Sequence, residues 1–288
     1  MDETLAAHVR ALQCGGARAV RAAKALYDLD LLCESDLIED KVALIVAAGA
    51  IPPLVALVRN GSDYGKKWAA CALANLAIGD IAAQPIADAG GIAALVELLR
   101  DGSDDGKMRA AHALANLACN GDVAAQSIVD AGGISALFEL LRDGSDDGQK
   151  QAARALWNLT SNADAYDAMI AEAGAIEQLV ELERNGSDDA KKNATEALRT
   201  LAYHDDLVRH ISAARRRVAP AVEPTTAAMA NLAACIVCQD AARSVVFFPC
   251  AHACFCESCA ATHRATSAHW QCPICRTAIT GFVPFRLA

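Results

Sequence analysis

The chain has no surplus of positive charge, no long apolar run and no leader-like start, and each absence removes a class of function. Lysine and arginine total 26 against 35 aspartates and glutamates, a net charge of −9. Residues 1–218 hold 22 basic against 32 acidic residues, whereas residues 219–288 hold four against three. Such a surface does not suit a polyanion, so nucleic acid is not expected as the main ligand. The uncharged stretch from Val42 to Val58 has 17 residues, carries Pro52 and Pro53, and belongs to a repeat. It reads as core, and no membrane partner is expected. The start, MDETLAAHVR, lacks a basic segment followed by an apolar one. No secretory leader is expected, thiols should stay reduced, and the expected location is cytoplasmic and/or nuclear. Arg215-Arg216-Arg217 is the local exception to the acidity; it reads as a solvated helix end, with a nuclear-localisation fragment as the alternative.

What the chain does have is repetition. One block recurs four times, as in AGGIAALVELLRDGSDDGKMRAAHALANLA, with marker residues Ile51, Ile92, Ile134 and Ile176 spaced 41, 42 and 42 residues apart. A fixed period near this length indicates stacked helical units, because each unit has an apolar face that it cannot bury alone. Ile92, Leu95, Val96, Leu98 and Leu99 mark one helix, and Ala110, Ala113, Leu114, Leu117 and Ala118 mark a longer second one. Between them DGSDDG supplies a glycine to end the first helix and Ser103 and Asp104 as caps for the next. An apolar stretch before each AGGI, such as Ala125 to Ala131, supplies a short third helix.

Three helices per unit, the short one first, resemble armadillo repeats, over about residues 3–214 with a partial unit around residues 16–26. The resemblance implies a right-handed α-solenoid whose concave groove binds an extended peptide of a protein substrate. Asn75, Asn116 and Asn158 share one place in the long helix, with Thr200 in the last unit. The family uses that asparagine to hold a peptide backbone, since an amide donates and accepts at once; the other reading is that it ties neighbouring helices together. Importin-type grooves carry tryptophans four residues before the asparagine, whereas here stand Cys71, His112, Arg154 and Glu196, which argues against a transport adaptor. One turn further back lie Trp68, Arg109, Gln151 and Asn193, flanked by Lys67, Lys150 and Lys192. The candidate groove residues are therefore Asn75, Asn116, Asn158, Trp68, Arg109, His112 and Arg154, and the basic middle favours a segment with some acidic residues. The DGSDDG segments imitate the start of a calcium loop, but its twelfth position is His112 or Arg154 where a glutamate is needed.

The most specific signal lies in the last fifth. Of twelve cysteines, Cys14, Cys33, Cys71 and Cys119 are scattered through helical patterns and read as buried thiols, while eight crowd into residues 235–275. Their order is Cys235-x2-Cys238, eleven residues, Cys250-x-His252-x3-Cys256-x2-Cys259, twelve residues, Cys272-x2-Cys275. Thiolate and imidazole are ligands that zinc prefers, and a two-residue spacer lets one turn bring two sulfurs to a tetrahedral ion. Eight ligands suit two zinc ions. Cys254 rivals Cys256, but only Cys256 forms a Cys-x2-Cys pair with Cys259.

With histidine as fourth ligand the pattern resembles a RING finger. The cross-brace of that family implies one zinc on Cys235, Cys238, Cys256 and Cys259 and a second on Cys250, His252, Cys272 and Cys275. CIVCQDAARSVVFFPCAHACFCESCA with CPICR is similar to the RINGs of inhibitor-of-apoptosis-like E3 ubiquitin ligases, although Ala260 to Gln271 is longer. This resemblance implies an enzyme that binds a ubiquitin-conjugating enzyme on a shelf of Ile236 and Pro273, extended by Trp270. Arg276 matches the linchpin that contacts conjugating enzyme and ubiquitin together, with no catalytic cysteine on this chain. It also implies a homodimer through RING and tail; the other reading of the tail, from Ile279 to Ala288, is a strand closing the module's own core. The expectation is an armadillo solenoid over 1–218, a linker over 219–231 and a small zinc-stabilised α+β RING over 232–288, acting as a ubiquitin ligase. The alternative is a non-catalytic interaction scaffold.

Overall fold

The computed structural model describes residues 3–28, 35–162, 164–218, 237–238, 245–248, 253–266, 271 and 279–284. The chain divides into two compact units, Met1–Val218 and Ala219–Ala288.

The first unit is helical and follows the period of the sequence. A pair of helices, α1 (Glu3–Gln13) and α2 (Gly16–Asp28), opens it. Four triplets follow, each a leading helix, a middle helix and a long helix, the leading one being short (9 residues) in the last three. They are α3 (Ser35–Ala47), α4 (Ile51–Asn60), α5 (Asp63–Leu76); α6 (Asp80–Asp88), α7 (Gly91–Asp101), α8 (Asp104–Cys119); α9 (Asp122–Asp130), α10 (Gly133–Asp143), α11 (Asp146–Thr160); and α12 (Asp164–Glu172), α13 (Ala175–Asn185), α14 (Asp188–Leu201). The unit closes with α15 (Asp205–Val218). The long helices pack in a row, α2 on α5, α5 on α8, α8 on α11 and α11 on α14. Alanines line these contacts: Ala69, Ala70, Ala110, Ala111, Ala152 and Ala153 are fully buried, which lets helices approach closely. Leucines such as Leu54, Leu73, Leu95 and Leu114 fill the core, each contributing about 1.5–3 kcal/mol by burial.

The local chemistry sets the joints. Ser62, Ser103 and Ser145 cap the long helices by accepting from the backbone N–H of Gly65, Gly106 and Gly148. Asp104 is the first helical residue and supports the dipole from the first turn instead of capping. Gly102 has an extended backbone (φ −77°), so it is not there for left-handed geometry. A Cβ at that position would lie 2.4 Å from the Leu98 carbonyl oxygen, so close approach requires the glycine. Left-handed geometry is needed at the turn into each middle helix, where Gly49, Gly90, Gly132 and Gly174 have φ of 77°, 70°, 74° and 80°.

The Val42–Val58 run bends between α3 and α4, by 76° as measured over Glu39–Ala47 and Ile51–Asn60, and buries Val42, Ile45, Leu54 and Val58. No single helix among the described residues is long and apolar enough to cross a membrane. Two of the scattered cysteines depart from the expected burial. Cys71 is buried, but Cys14 follows the end of α1 and Cys119 ends α8, and both are exposed because helix ends turn toward solvent. Of the basic triplet, Arg215 pairs with Glu183 and Arg217 with Glu177, both on α13.

In the second unit three strands form one antiparallel sheet of order β2-β1-β3, with β1 Val245–Phe248, β2 Ala253–Phe255 and β3 Gly281–Pro284. Val245 pairs with Phe255 on one side and with Pro284 on the other. Helix α16 (Glu257–Thr266) follows β2 directly. The described core here is Val245, Phe255, Ala260 and Ile279. The first part of the tail is thus a strand closing on its own module.

Candidate functional site

The sheet and α16 bring three cysteines together. Cys238 sits in a turn, Cys256 stands between β2 and α16, and Cys259 lies in the first turn of α16. Their sulfurs lie within 4.8 Å of one another, and Cys238 Sγ is 3.8 Å from Cys256 Sγ. A tetrahedral zinc with Zn–S bonds of about 2.3 Å separates its sulfurs by about 3.8 Å, so the donor set fits the ion. The Ser258 hydroxyl, 3.3 Å away, and then the Cys259 backbone N–H hydrogen-bond to the Cys256 sulfur and hold its pKa below the ordinary thiol value. That favours the thiolate that metal requires. His263 packs its ring on Phe255, with centroids 5.1 Å apart, on the same helix as Cys259.

These three residues belong to one of the two ligand sets expected from the sequence. Its fourth member, Cys235, lies outside the described residues, as do Cys250, His252, Cys272 and Cys275 of the other set. Ile236, Trp270, Pro273 and Arg276 also fall outside them.

The second candidate site is the half-exposed face of the long-helix row. Asn75 donates from Nδ2 to the Tyr27 carbonyl, Asn116 to Ala74 and Asn158 to Ala115, at 3.2, 2.8 and 2.7 Å. Each asparagine therefore ties its helix to the preceding one. Asn120 and Asn162 repeat the device near the helix ends, bonding the Ala77 and Ala118 carbonyls.

Along the same face the charges differ from the sequence expectation. Two of the flanking lysines are paired: Lys67 bonds Asp105 of the next unit, and Lys150 reaches Asp147 on its own helix and Asp189 of the next unit. Arg109 and Arg154, both half-buried, form no ion pair with a carboxylate among the described residues, although the Arg109 charge is felt by Asp105. Arg154 Nη2 bonds Asn116 Oδ1 at 2.7 Å and the His112 carbonyl at 3.4 Å. Burial lowers the pKa of the Arg154 guanidinium. Burial, followed by the charges of Arg154, Arg109 and Lys150, lowers that of His112 to about 4, so the imidazole is neutral at pH 7.

At the other end of the row Trp68 stands among Tyr27 and Tyr64, with ring centroids 5.3 and 5.9 Å away. The ammonium groups of Lys24 and Lys67 lie 5.2 and 5.9 Å from its ring centroid. Sequence reasoning missed Tyr27, Lys24 and Tyr64. Aligning Leu26 with Leu73 would have found Lys24, because it places Lys24 and Asp28 in the columns of Cys71 and Asn75.

Residues 39–78, 82–119 and 123–161 match the armadillo/beta-catenin-like repeat family, and residues 231–282 match the zinc finger, C3HC4 type (RING finger) family. The chain is an armadillo-repeat protein with a C-terminal RING-type zinc finger, a module that binds zinc. Over 51 residues it is 45% identical to the mitochondrial ubiquitin ligase activator of NFKB 1 of Homo sapiens, and over 46 residues 39% identical to the E3 ubiquitin-protein ligase RNF26 of Mus musculus. These matches cover 18% and 16% of this chain, and the chain spans only 14% and 11% of those relatives. The solenoid is similar to a crystal structure of an engineered protein, with a TM-score of 0.69 and 34% identity over 75% of this chain and 87% of that one. It is also similar to a designed armadillo repeat protein in complex with the peptide (KR)4, with a TM-score of 0.66 and 28% identity over 74% and 89%.

Proposed function

We propose that the protein is a RING-type E3 ubiquitin-protein ligase in which the armadillo repeats recruit a protein substrate as an extended peptide and the RING activates ubiquitin-charged conjugating enzyme. The observation that carries this reading is the cluster of Cys238, Cys256 and Cys259 at zinc-site distances inside a RING-matched segment of a chain that also carries a peptide-binding type of solenoid. The relatives matched over 51 and 46 residues carry ubiquitin ligase in their names. Two zinc ions are proposed, one on Cys235, Cys238, Cys256 and Cys259, the other on Cys250, His252, Cys272 and Cys275. Ile236 and Pro273, with Trp270, form the shelf for the conjugating enzyme. Arg276 donates to conjugating enzyme and ubiquitin at once, and rate enhancement comes from holding the thioester in its reactive geometry.

The test is ubiquitin discharge from a panel of charged conjugating enzymes to free lysine. Zinc-loaded wild type is expected to accelerate discharge, and Ile236→Ala and Arg276→Ala to abolish the acceleration while retaining zinc. No acceleration across the panel by a protein with a folded zinc module refutes the ligase and leaves an interaction scaffold.

A further inference from the structure

We propose that the middle of the long-helix row, between α8 and α11, is an anion subsite that selects partner segments bearing a carboxylate or phosphate. This rests on the reading of the row as a peptide-binding groove. Three observations carry it. First, Arg109 and Arg154 are half-buried on adjacent helices and neither forms an ion pair with a carboxylate among the described residues, although Lys67 and Lys150 beside them do; Asp105, which lies near enough to feel the Arg109 charge, is bonded to Lys67. Second, Arg109 Nε and Arg154 Nε are buried without a hydrogen-bond partner, as are Trp68 Nε1 and Gln151 Oε1 in the same column as Arg109. Third, the acidic groups on this face are already engaged at the ends of the row, Asp28 with Lys24 and Glu196 with Arg199, so the middle is left cationic within an acidic solenoid.

A cation withdrawn from water without a counter-charge is costly, and folds keep such arrangements where a ligand supplies the missing charge. Guanidinium is suited to that task, because its fixed fork of donors matches the two oxygens of a carboxylate or phosphate. Arg154 is held by Asn116 and the His112 carbonyl through one terminal nitrogen, Nη2, which fixes its plane and leaves the other, Nη1, for an incoming anion. A basic segment, such as the (KR)4 bound by the designed relative, would meet like charge here.

The experiment uses the whole zinc-loaded chain and fluorescein-labelled peptides of about ten residues, about 33 Å when extended. The peptides share one scaffold and carry glutamate, phosphoserine, glutamine or lysine at the same places; selection from a random peptide display library runs in parallel. The acidic peptides are expected to bind with salt-sensitive anisotropy changes and at least about tenfold more tightly than the glutamine or lysine peptides. Arg109→Gln and Arg154→Gln should each weaken them about tenfold, while Arg199→Gln leaves them unchanged. Far-ultraviolet circular dichroism checks that each variant folds, and Arg109→Gln carries the test should Arg154→Gln unfold. The glutamate and phosphoserine arms distinguish a carboxylate from a phosphate ligand. Equal binding of all peptides, preference for lysine, or acidic binding indifferent to both arginines overturns the anion subsite and leaves the groove standing. No binding in either format overturns the groove reading, and the subsite with it.

Discussion

Removing zinc should unfold the second unit and leave the first intact. The structure supplies the reason. Strands of four, three and four residues are too short to hold a sheet by hydrogen bonding alone. The large buried side chains described there, Val245, Phe255 and Ile279, contribute about 1.5–3 kcal/mol each. A single structural zinc in a small peptide is worth about 10–16 kcal/mol, more than those three together. The 3.8 Å separation of Cys238 Sγ and Cys256 Sγ further requires a metal–sulfur distance of about 2.3 Å if the site is a regular tetrahedron.

The assay is hydrogen exchange with and without a strong chelator, combined with zinc-edge absorption spectroscopy of the loaded protein. Amides of β1, β2 and α16 are expected to lose protection on chelation, while those of α5, α8 and α11 keep theirs. The spectrum should show sulfur scatterers at about 2.3 Å. Protection of β1 and β2 that survives complete zinc removal, or a first shell without sulfur, would refute the reasoning.

Two further outcomes test the solenoid. Asn158→Ala removes the donor to the Ala115 carbonyl and should destabilise the unit by about 0.5–1.5 kcal/mol in urea unfolding, through the lost bond between helices, since Ala115 lies within α8 and its carbonyl keeps a helical partner. The His112 pKa, lowered to about 4 in the fold from an ordinary 6.5, sets a pH dependence. Between those values the unfolded chain binds a proton that the folded chain refuses, so stability should fall as pH is lowered through that window and be fully present above it. His112→Gln should reduce the difference between urea midpoints measured at about pH 7 and about pH 5; an unchanged difference would show that other groups account for it.

The repeat was legible because its signals are local. Each unit carries its own apolar stripe, a serine at the N-cap position of its long helix and its own left-handed glycine, so the triplet of helices follows from one block of sequence. The zinc cluster was legible for a similar reason, since Cys256 and Cys259 are one helical turn apart and need only Cys238 to join them. What stayed hidden depends on reach between units. Lys67 and Asp105, or Lys150 and Asp189, are far apart in sequence, and nothing in either block announces that a DGSDDG-type aspartate arrives beside the preceding unit's lysine. Missing those pairs left Lys67 and Lys150 counted with Arg109 and Arg154 as cations of the groove, when both lysines are engaged by aspartates. Surface exposure at Cys14 and Cys119 was hidden likewise, because periodicity places a residue on a face but does not show where the helix stops.

The same interplay explains why one joint differs from the others. Arg59 and Arg100, at the ends of middle helices, donate to carbonyls at the turn of the following unit, Gly90 for the first and Ala131 and Gly132 for the second. Arg184 donates instead to the Val218 carbonyl at the end of α15. Arg142 occupies the equivalent place but turns back to Asp143 and lies over the Phe138 ring. The cause is a single exchange in the repeat. Where the other middle helices carry Val55, Val96 and Val180, α10 carries Phe138, whose ring edge lies 3.8 Å from where a Gly174 side chain would begin. The phenyl ring fills the space through which the guanidinium would have to pass, and its face then offers the cation a substitute partner. A change of one apolar residue for a larger one thus trades a polar pin between units for an apolar contact between the same units, and the joint stays closed.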